Sequence, residues 1–357
     1  MSGPLTDGVT IGNRYKVVRY LAEGGMQFVY IAKDSITGRL VALKTPKNNS
    51  AEKRFNRSAI VAARVNHPNV AKTLDYLEEG GRAYLVEELI EGSDLKEAIL
   101  TRTDFVDPYL AARIFHHLAK AVAAAHHVKV VHRDLKPTNV MVVGGYNLTE
   151  IKITDFGIAK MAEAEMEEAA EGGAETLSAS ATAVGALPYM APEAIEAAET
   201  VGLPADIWSL GAMMFHVLCG EYPFGSGLKA VTKIVAAQRP DVPAFVQQKP
   251  QFRPLADEML GIIFLCLQKD PLQRPDADSL VKMCNSLCYS VSERLEGHVA
   301  DYLYNAYGFI GGPTGRVFYH KRSVFGPMPA EGDPVLFSCY DGGQAPRALP
   351  VLKIRPK

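Results

Sequence analysis

The chain has 357 residues, 48% of them hydrophobic and 22% charged, and at about 150 residues per domain that length points to two domains with room for a third small module. This composition excludes wholesale disorder and fibrous repeats, and a formal charge of −2, from 38 basic and 40 acidic residues, removes global charge as an argument for nucleic-acid or membrane binding. The opening MSGPLTDGVTIGNRY has neither a charged nor an apolar leader region, and no apolar run reaches the length of a membrane span. A soluble, cytoplasmic protein without a membrane partner is expected. Cys219, Cys266, Cys284, Cys288 and Cys339 are too few and scattered for a disulfide framework. Cys284 and Cys288, four apart on an expected helix, could share a face, but nothing completes a metal site and core thiols are expected.

In chain order, residues 15–45 alternate strand-like runs (YKVVRYL, FVYIAKD, LVALKT) with breaks at Gly24-Gly25 and Gly38, which predicts an antiparallel meander. Residues 52–65 carry a 3.6-period apolar face and stop before His67-Pro68, predicting one helix; VAKTLDYL and RAYLVEEL then read as two further strands. From about residue 94 to 290 the pattern is mostly helical, with Ala-rich segments such as AARIFHHLAKAVAAAHH. Residues 161–183 hold six Glu and no Lys or Arg, a biased excursion rather than a packed element. After about residue 296, short strands with Gly and Pro turns predict a separate all-β module.

Four motifs stand in order: Lys44 in VALK, His132-Arg133-Asp134-Leu135-Lys136-Pro137-Thr138-Asn139, Asp155-Phe156-Gly157, and Ala191-Pro192-Glu193. Asp206-Ile207-Trp208-Ser209-Leu210-Gly211 and Asp270-Pro271 with Arg274-Pro275 follow. In order and spacing the chain resembles the eukaryotic-type (Hanks-type) serine/threonine protein kinases over residues 14–290. The fold class this implies is α+β, a bilobal kinase fold (N-lobe about 14–90, C-lobe about 91–290) after an N-terminal extension, 1–13.

Phosphoryl transfer is positioning and charge neutralisation, so it requires oxygen ligands for Mg²⁺, a cation on the phosphates and an acceptor for the hydroxyl proton. The resemblance implies that Asp155 and Asn139 hold Mg²⁺, Lys44 grips the ATP phosphates, Asp134 orients the hydroxyl of a protein substrate and Lys136 touches the transferred phosphate. It also places Ala42, Gly24, Gly25 and the backbone of Glu88 and Ile90 around the nucleotide. Asp94 either bonds the ribose or caps a helix. Thr176, Ser178, Ser180 and Thr182 are candidate phosphosites, with Thr182 nearest the usual distance before Ala191-Pro192-Glu193 and Arg133 as a phosphate partner. Glu193 and Arg274 are expected to pair.

The chain departs from the family pattern at four places. Ala22 and Gln27 replace the outer glycines of the phosphate-covering loop, leaving Gly24 as the central one. Ser58 stands where the helix Glu that pairs with the strand Lys belongs, and Ala186 replaces a Thr. Glu87 falls at the gatekeeper position behind the adenine pocket. It either replaces the missing partner of Lys44 or, after a one-residue slip in strand register, faces solvent. The alternatives to an active kinase are a weakly active or pseudokinase ATP-binding scaffold and a single-stranded nucleic-acid-binding regulator.

Residues 297–357 resemble cold-shock domains of the OB fold through Ala306-Tyr307-Gly308-Phe309-Ile310, Val317-Phe318-Tyr319-His320 and the ending GGQAPRALPVLKI. In that resemblance Tyr307, Phe309, Phe318 and His320 would stack unpaired bases of single-stranded RNA or DNA. Against this, residues from 298 onward carry only seven basic residues beside four acidic ones, and Asp301 takes the family's Trp position. The alternative is that these aromatics pack against the kinase lobe or a protein partner.

Overall fold

The computed structural model describes residues 3–23, 27–47, 55, 60–156, 185–197 and 201–356. The predicted helix over 52–65 is described only at residue 55 and from residue 60, and the acidic run with its four candidate phosphosites lies outside the described residues, as do Gly24, Gly25 and Ser58.

The first lobe is a six-stranded antiparallel sheet of β1 (Thr10–Ile11), β2 (Tyr15–Glu23), β3 (Gln27–Asp34), β4 (Leu40–Pro46), β5 (Thr73–Glu79) and β6 (Arg82–Glu88), in the order β1-β2-β3-β4-β6-β5. Its alternation drives one face inward: Tyr15, Val17, Tyr30, Ala32, Val41, Leu43, Tyr84 and Val86 form a single apolar cluster. Thr10 and Ile11, expected in an extension, pair with Lys16 and Tyr15 and lengthen the sheet. Gly80 and Gly81 turn β5 into β6 with φ of 59° and 74°, backbone that a side chain would strain.

The second lobe is built round α1 (Pro108–His127), capped by Asp107, and α3 (Leu203–Cys219), with α2 (Pro192–Glu196), α4 (Lys229–Val235), α5 (Ala244–Gln248), α6 (Arg253–Cys266) and α7 (Ala277–Asn285) around them. From Ala205 to Cys219, α3 is buried at every residue but His216, so it is a central rod rather than an amphipathic cover. A Cβ at Gly211 would lie 2.5 Å from Cys266 Cβ, which shows how closely α3 and α6 pack. Helix α7 ends at Asn285, so Cys288 is exposed beyond it and shares no helical face with buried Cys284. A three-stranded sheet, β7 (Ser93–Asp94), β8 (Val140–Val143) and β9 (Glu150–Ile153), lies at the junction of the lobes and positions the loops between them.

The chain ends in a closed five-stranded barrel: β10 (Leu295–Leu303), β11 (Tyr307–Gly312), β12 (Gly315–His320), β13 (Pro334–Tyr340) and β14 (Arg347–Lys353), ordered β10-β11-β12-β14-β13. Val299, Ile310, Val317, Tyr319, Val335, Phe337 and Val351 fill it. The barrel docks on the helical lobe. Phe325 is fully buried, with its ring 5.7, 5.5 and 5.3 Å from those of Phe105, Phe245 and Phe252, and Leu336, Leu352 and Ile354 join the core of the helical lobe. Beside them Arg294 Nη2 donates to Asp107 Oδ1 at 2.9 Å, both side chains buried.

Candidate active site

A cleft of about 990 Å³ separates the sheet from the helical lobe, and Ala42, Lys44, Glu87, Glu88, Ile90 and Asp94 are among the residues lining it. Strand register explains the convergence. Ala42 lies opposite Glu87 and Lys44 opposite Leu85, so Lys44 and Glu87 are diagonal neighbours on one face, within reach of two long side chains. Lys44 Nζ is 2.5 Å from Glu87 Oε2 and 2.8 Å from Asp155 Oδ1. Lys44 and Glu87 are buried, at 6% and 4% exposure, which rules out the solvent-facing register.

Burial alone would favour the uncharged lysine, yet the Asp155 and Glu87 carboxylates outweigh it and hold the ammonium above its usual range. Burial pushes the Glu87 carboxyl up against the opposing pull of Lys44, and the nearby charge of Asp155 adds to the rise. Asp155 stays below its usual value: burial opposes ionisation, but the bonds from Lys44 and Gln27 favour it more.

The loop before β8 gathers Asp134, Lys136 and Asn139, of which Lys136 and Asn139 line the cleft. Asn139 Nδ2 donates to Asp134 O at 2.8 Å and to Asp134 Oδ2 at 2.9 Å, and Lys136 Nζ lies 2.8 Å from the same Oδ2. Asp134 Oδ1 thus remains as the acceptor, with no hydrogen bond among the described residues. The loop itself is held from α3: Asp206 accepts from His132 N and Arg133 N at 2.8 Å each, and bonds His126 Nε2 at 2.9 Å. Arg133 and Asp155 take left-handed backbone, φ 68° and 62°, which such anchoring sustains. Phe156 packs edge-on against His132, ring centres 4.6 Å apart.

Glu88 accepts from Lys152 Nζ at 2.8 and 2.9 Å and from Lys72 N at 2.7 Å, while its own N–H goes to Lys72 O at 2.9 Å. Asp94 Oδ1 accepts from Glu97 N at 3.0 Å, so this residue makes the capping bond and also lines the cleft. Arg274 grips Glu193 through two bonds of 2.6 and 2.8 Å. Sequence reasoning missed one contact in the cleft, Gln27 Nε2 to Asp155 Oδ1 at 2.9 Å. Its only sequence signal was a long polar residue where a glycine belongs.

On the barrel, alternation turns Tyr307, Phe309, Phe318 and His320 outward, half-exposed, while Tyr319 points into the core. Tyr307 lies opposite His320 and Phe309 opposite Phe318, with Tyr307 and Phe309 ring centres 5.6 and 5.9 Å from that of Phe318. None of these four is among the residues in the barrel–lobe core.

A two-lobed fold whose cleft is lined by Lys44, Asn139 and Asp155, with Asp134 bonded to Asn139 at its edge, defines a class, the protein kinases. The protein kinase domain family matches residues 15–284, and the chain belongs to it. It is similar to the serine/threonine-protein kinase PrkC of Bacillus subtilis (strain 168), 32% identical over 274 residues that cover 75% of this chain and 39% of that protein. Similarity to the serine/threonine-protein kinase PknA of Mycobacterium tuberculosis is 33% over 280 residues, 75% of this chain and 59% of the relative. The chain therefore spans about two fifths to three fifths of these relatives' length. Among solved structures, Rad53 1-466 in complex with AMP-PNP has the same fold, with a TM-score of 0.57 and 24% identity over 76% of this chain and 64% of that one. The family match ends before β10.

Proposed function

We propose that the chain is a serine/threonine protein kinase that transfers the γ-phosphoryl group of ATP to hydroxyls of protein. The observation that carries this reading is the Asp134 carboxylate, steered by Asn139 and Lys136 and left with one acceptor oxygen beside the cleft that holds Lys44 and Asp155. Asp134 accepts the proton of the attacking hydroxyl as its oxygen bonds to phosphorus and the bond to the β-phosphate bridging oxygen breaks. Lys136 offsets charge on the transferred group, and Lys44, itself held by Glu87, grips the remaining phosphates.

Asp155 and Asn139 suit Mg²⁺: they offer a carboxylate and an amide oxygen, hard donors, because Asn139 commits its N–H₂ end to Asp134. The ion would supply neutralisation of phosphate charge. The test is incubation of purified protein with ATP and MgCl₂, with phosphosites mapped, Thr176, Ser178, Ser180 and Thr182 among them. Phosphate should enter the wild type and not Asp134→Asn; no incorporation in either would mean the scaffold alternative is right.

For the barrel we propose single-stranded nucleic-acid binding. Its support is the outward aromatic array, with the Arg316 guanidinium 4.3 Å from the Phe309 ring centre and that of Arg347 6.0 Å from Phe318. Binding to oligo-dT or oligo-U should weaken with salt and fall at least about fivefold in Phe309→Ala and Phe318→Ala, since each stacked base contributes about 1–3 kcal/mol. Oligonucleotide binding unchanged in both variants would leave a protein-contact role. No helix among the described residues is long and apolar enough to cross a membrane.

A further inference from the structure

The residue at the start of β3 places a side chain in the cleft where the family's loop would offer only backbone. Gln27 lies opposite Pro46, and alternation puts it on the face of the sheet that carries Val29 and Lys44. It is 7% exposed. Its Nε2 reaches across the cleft to Asp155 Oδ1, joining segments 128 residues apart. The same oxygen accepts Lys44 Nζ at 2.8 Å, so one carboxylate oxygen carries two donors, both from the sheet. Gln27 Oε1 is buried without a hydrogen-bond partner among the described residues, so the amide is half satisfied, and a buried acceptor left unpaired is costly.

We propose that Gln27 is a latch on Asp155: it holds the carboxylate toward the sheet until a divalent cation arrives with nucleotide, and so sets the cation concentration at which the cleft loads. Oδ1 cannot be presented fully to a cation while two N–H groups occupy it. Of the two, the neutral Gln27 bond is the weaker and the one that opens. Gln27 is thus a positioning residue acting through Asp155, whose left-handed backbone it also helps to hold. The latch rests on the reading of the cleft as a nucleotide site.

The test uses the full chain, AMP-PNP and a MgCl₂ titration, read by nucleotide-dependent thermal shift and, separately, by the Mg²⁺ dependence of phosphorylation. Two variants are compared with wild type: Gln27→Ala, and Gln27→Met, which keeps the volume and removes the hydrogen bond. In both, half-saturating Mg²⁺ should fall about tenfold or more, as expected for loss of a bond to a charged group, while metal-free AMP-PNP affinity measured in EDTA changes less than twofold. A half-saturating Mg²⁺ that is unchanged or raised in Gln27→Met overturns the latch, as does a parallel shift of both affinities, which would mark a merely structural role. If wild type shows no AMP-PNP shift at any Mg²⁺ concentration, the nucleotide reading fails and the latch with it.

Discussion

Under the sheet, the ammonium of Lys44 is stable only because two carboxylates face it, and Glu87 is the nearer. Removing Glu87 leaves Lys44 shared with Asp155 alone, so the lysine moves toward that carboxylate and away from the position the proposed nucleotide role requires. Glu87→Ala should lower kcat at least tenfold and destabilise the fold by about 3–5 kcal/mol, the usual result of breaking one side of a buried pair. Steady-state kinetics and urea unfolding measure both; an unaltered kcat would end the idea that Glu87 is the lysine's working partner. Glu87→Gln keeps the shape and one acceptor and should lose less stability than Glu87→Ala.

Helices place two further expectations on the molecule. On α3, His216 Nδ1 bonds the Tyr189 hydroxyl at 2.9 Å, and burial lowers its pKa from 6.5 to about 4. The unfolded chain therefore takes up a proton at this residue before the folded one does. Its contribution is complete above pH 6.5 and is lost as pH falls toward about 4. In His216→Gln the melting temperature should fall less steeply between these pH values than in wild type, as calorimetry would show.

At the start of α1, Asp107 Oδ1 accepts from Tyr109 N and Leu110 N at 3.1 and 3.4 Å and from Arg294. Asp107→Ala removes a helix cap, about 1 kcal/mol, and strands a buried guanidinium. The double variant Asp107→Ala/Arg294→Met should recover part of the loss, a coupling that a mutant cycle measures; strict additivity would show that the ion pair carries no coupling.

The barrel is joined to the kinase lobe by core rather than by a tether. Phe325 sits among three phenylalanine rings of the helical lobe, and Arg355 Nη2 pairs with Asp104 at 2.6 Å at the rim. Phe325→Ala should cost about 3–5 kcal/mol and lower the stability of both parts in one shared unfolding transition. A chain ended at residue 290 should expose Phe105, Phe245 and Phe252 and aggregate. Two separate transitions in the full chain, or a well-behaved shortened one, would contradict this coupling. The same packing sends the barrel's other face outward, which is why Phe309 and Phe318 are available to a ligand at all.

Local patterns were enough to read the strands of the first lobe, because alternation and turn glycines act between neighbours. The cluster after His132 was equally legible: Asp134, Lys136 and Asn139 lie within six positions and make their bonds to one another. The family and the existence of a terminal β module were legible from motif spacing and turn composition. Tertiary structure alone decided the rest. Whether Glu87 met Lys44 or solvent depended on strand register, which one residue of slip would invert. Gln27 reaches Asp155 across 128 residues and Arg294 reaches Asp107 across 187. No period in the sequence records such contacts, because they exist only once separate elements pack and a buried polar group must find its partner there.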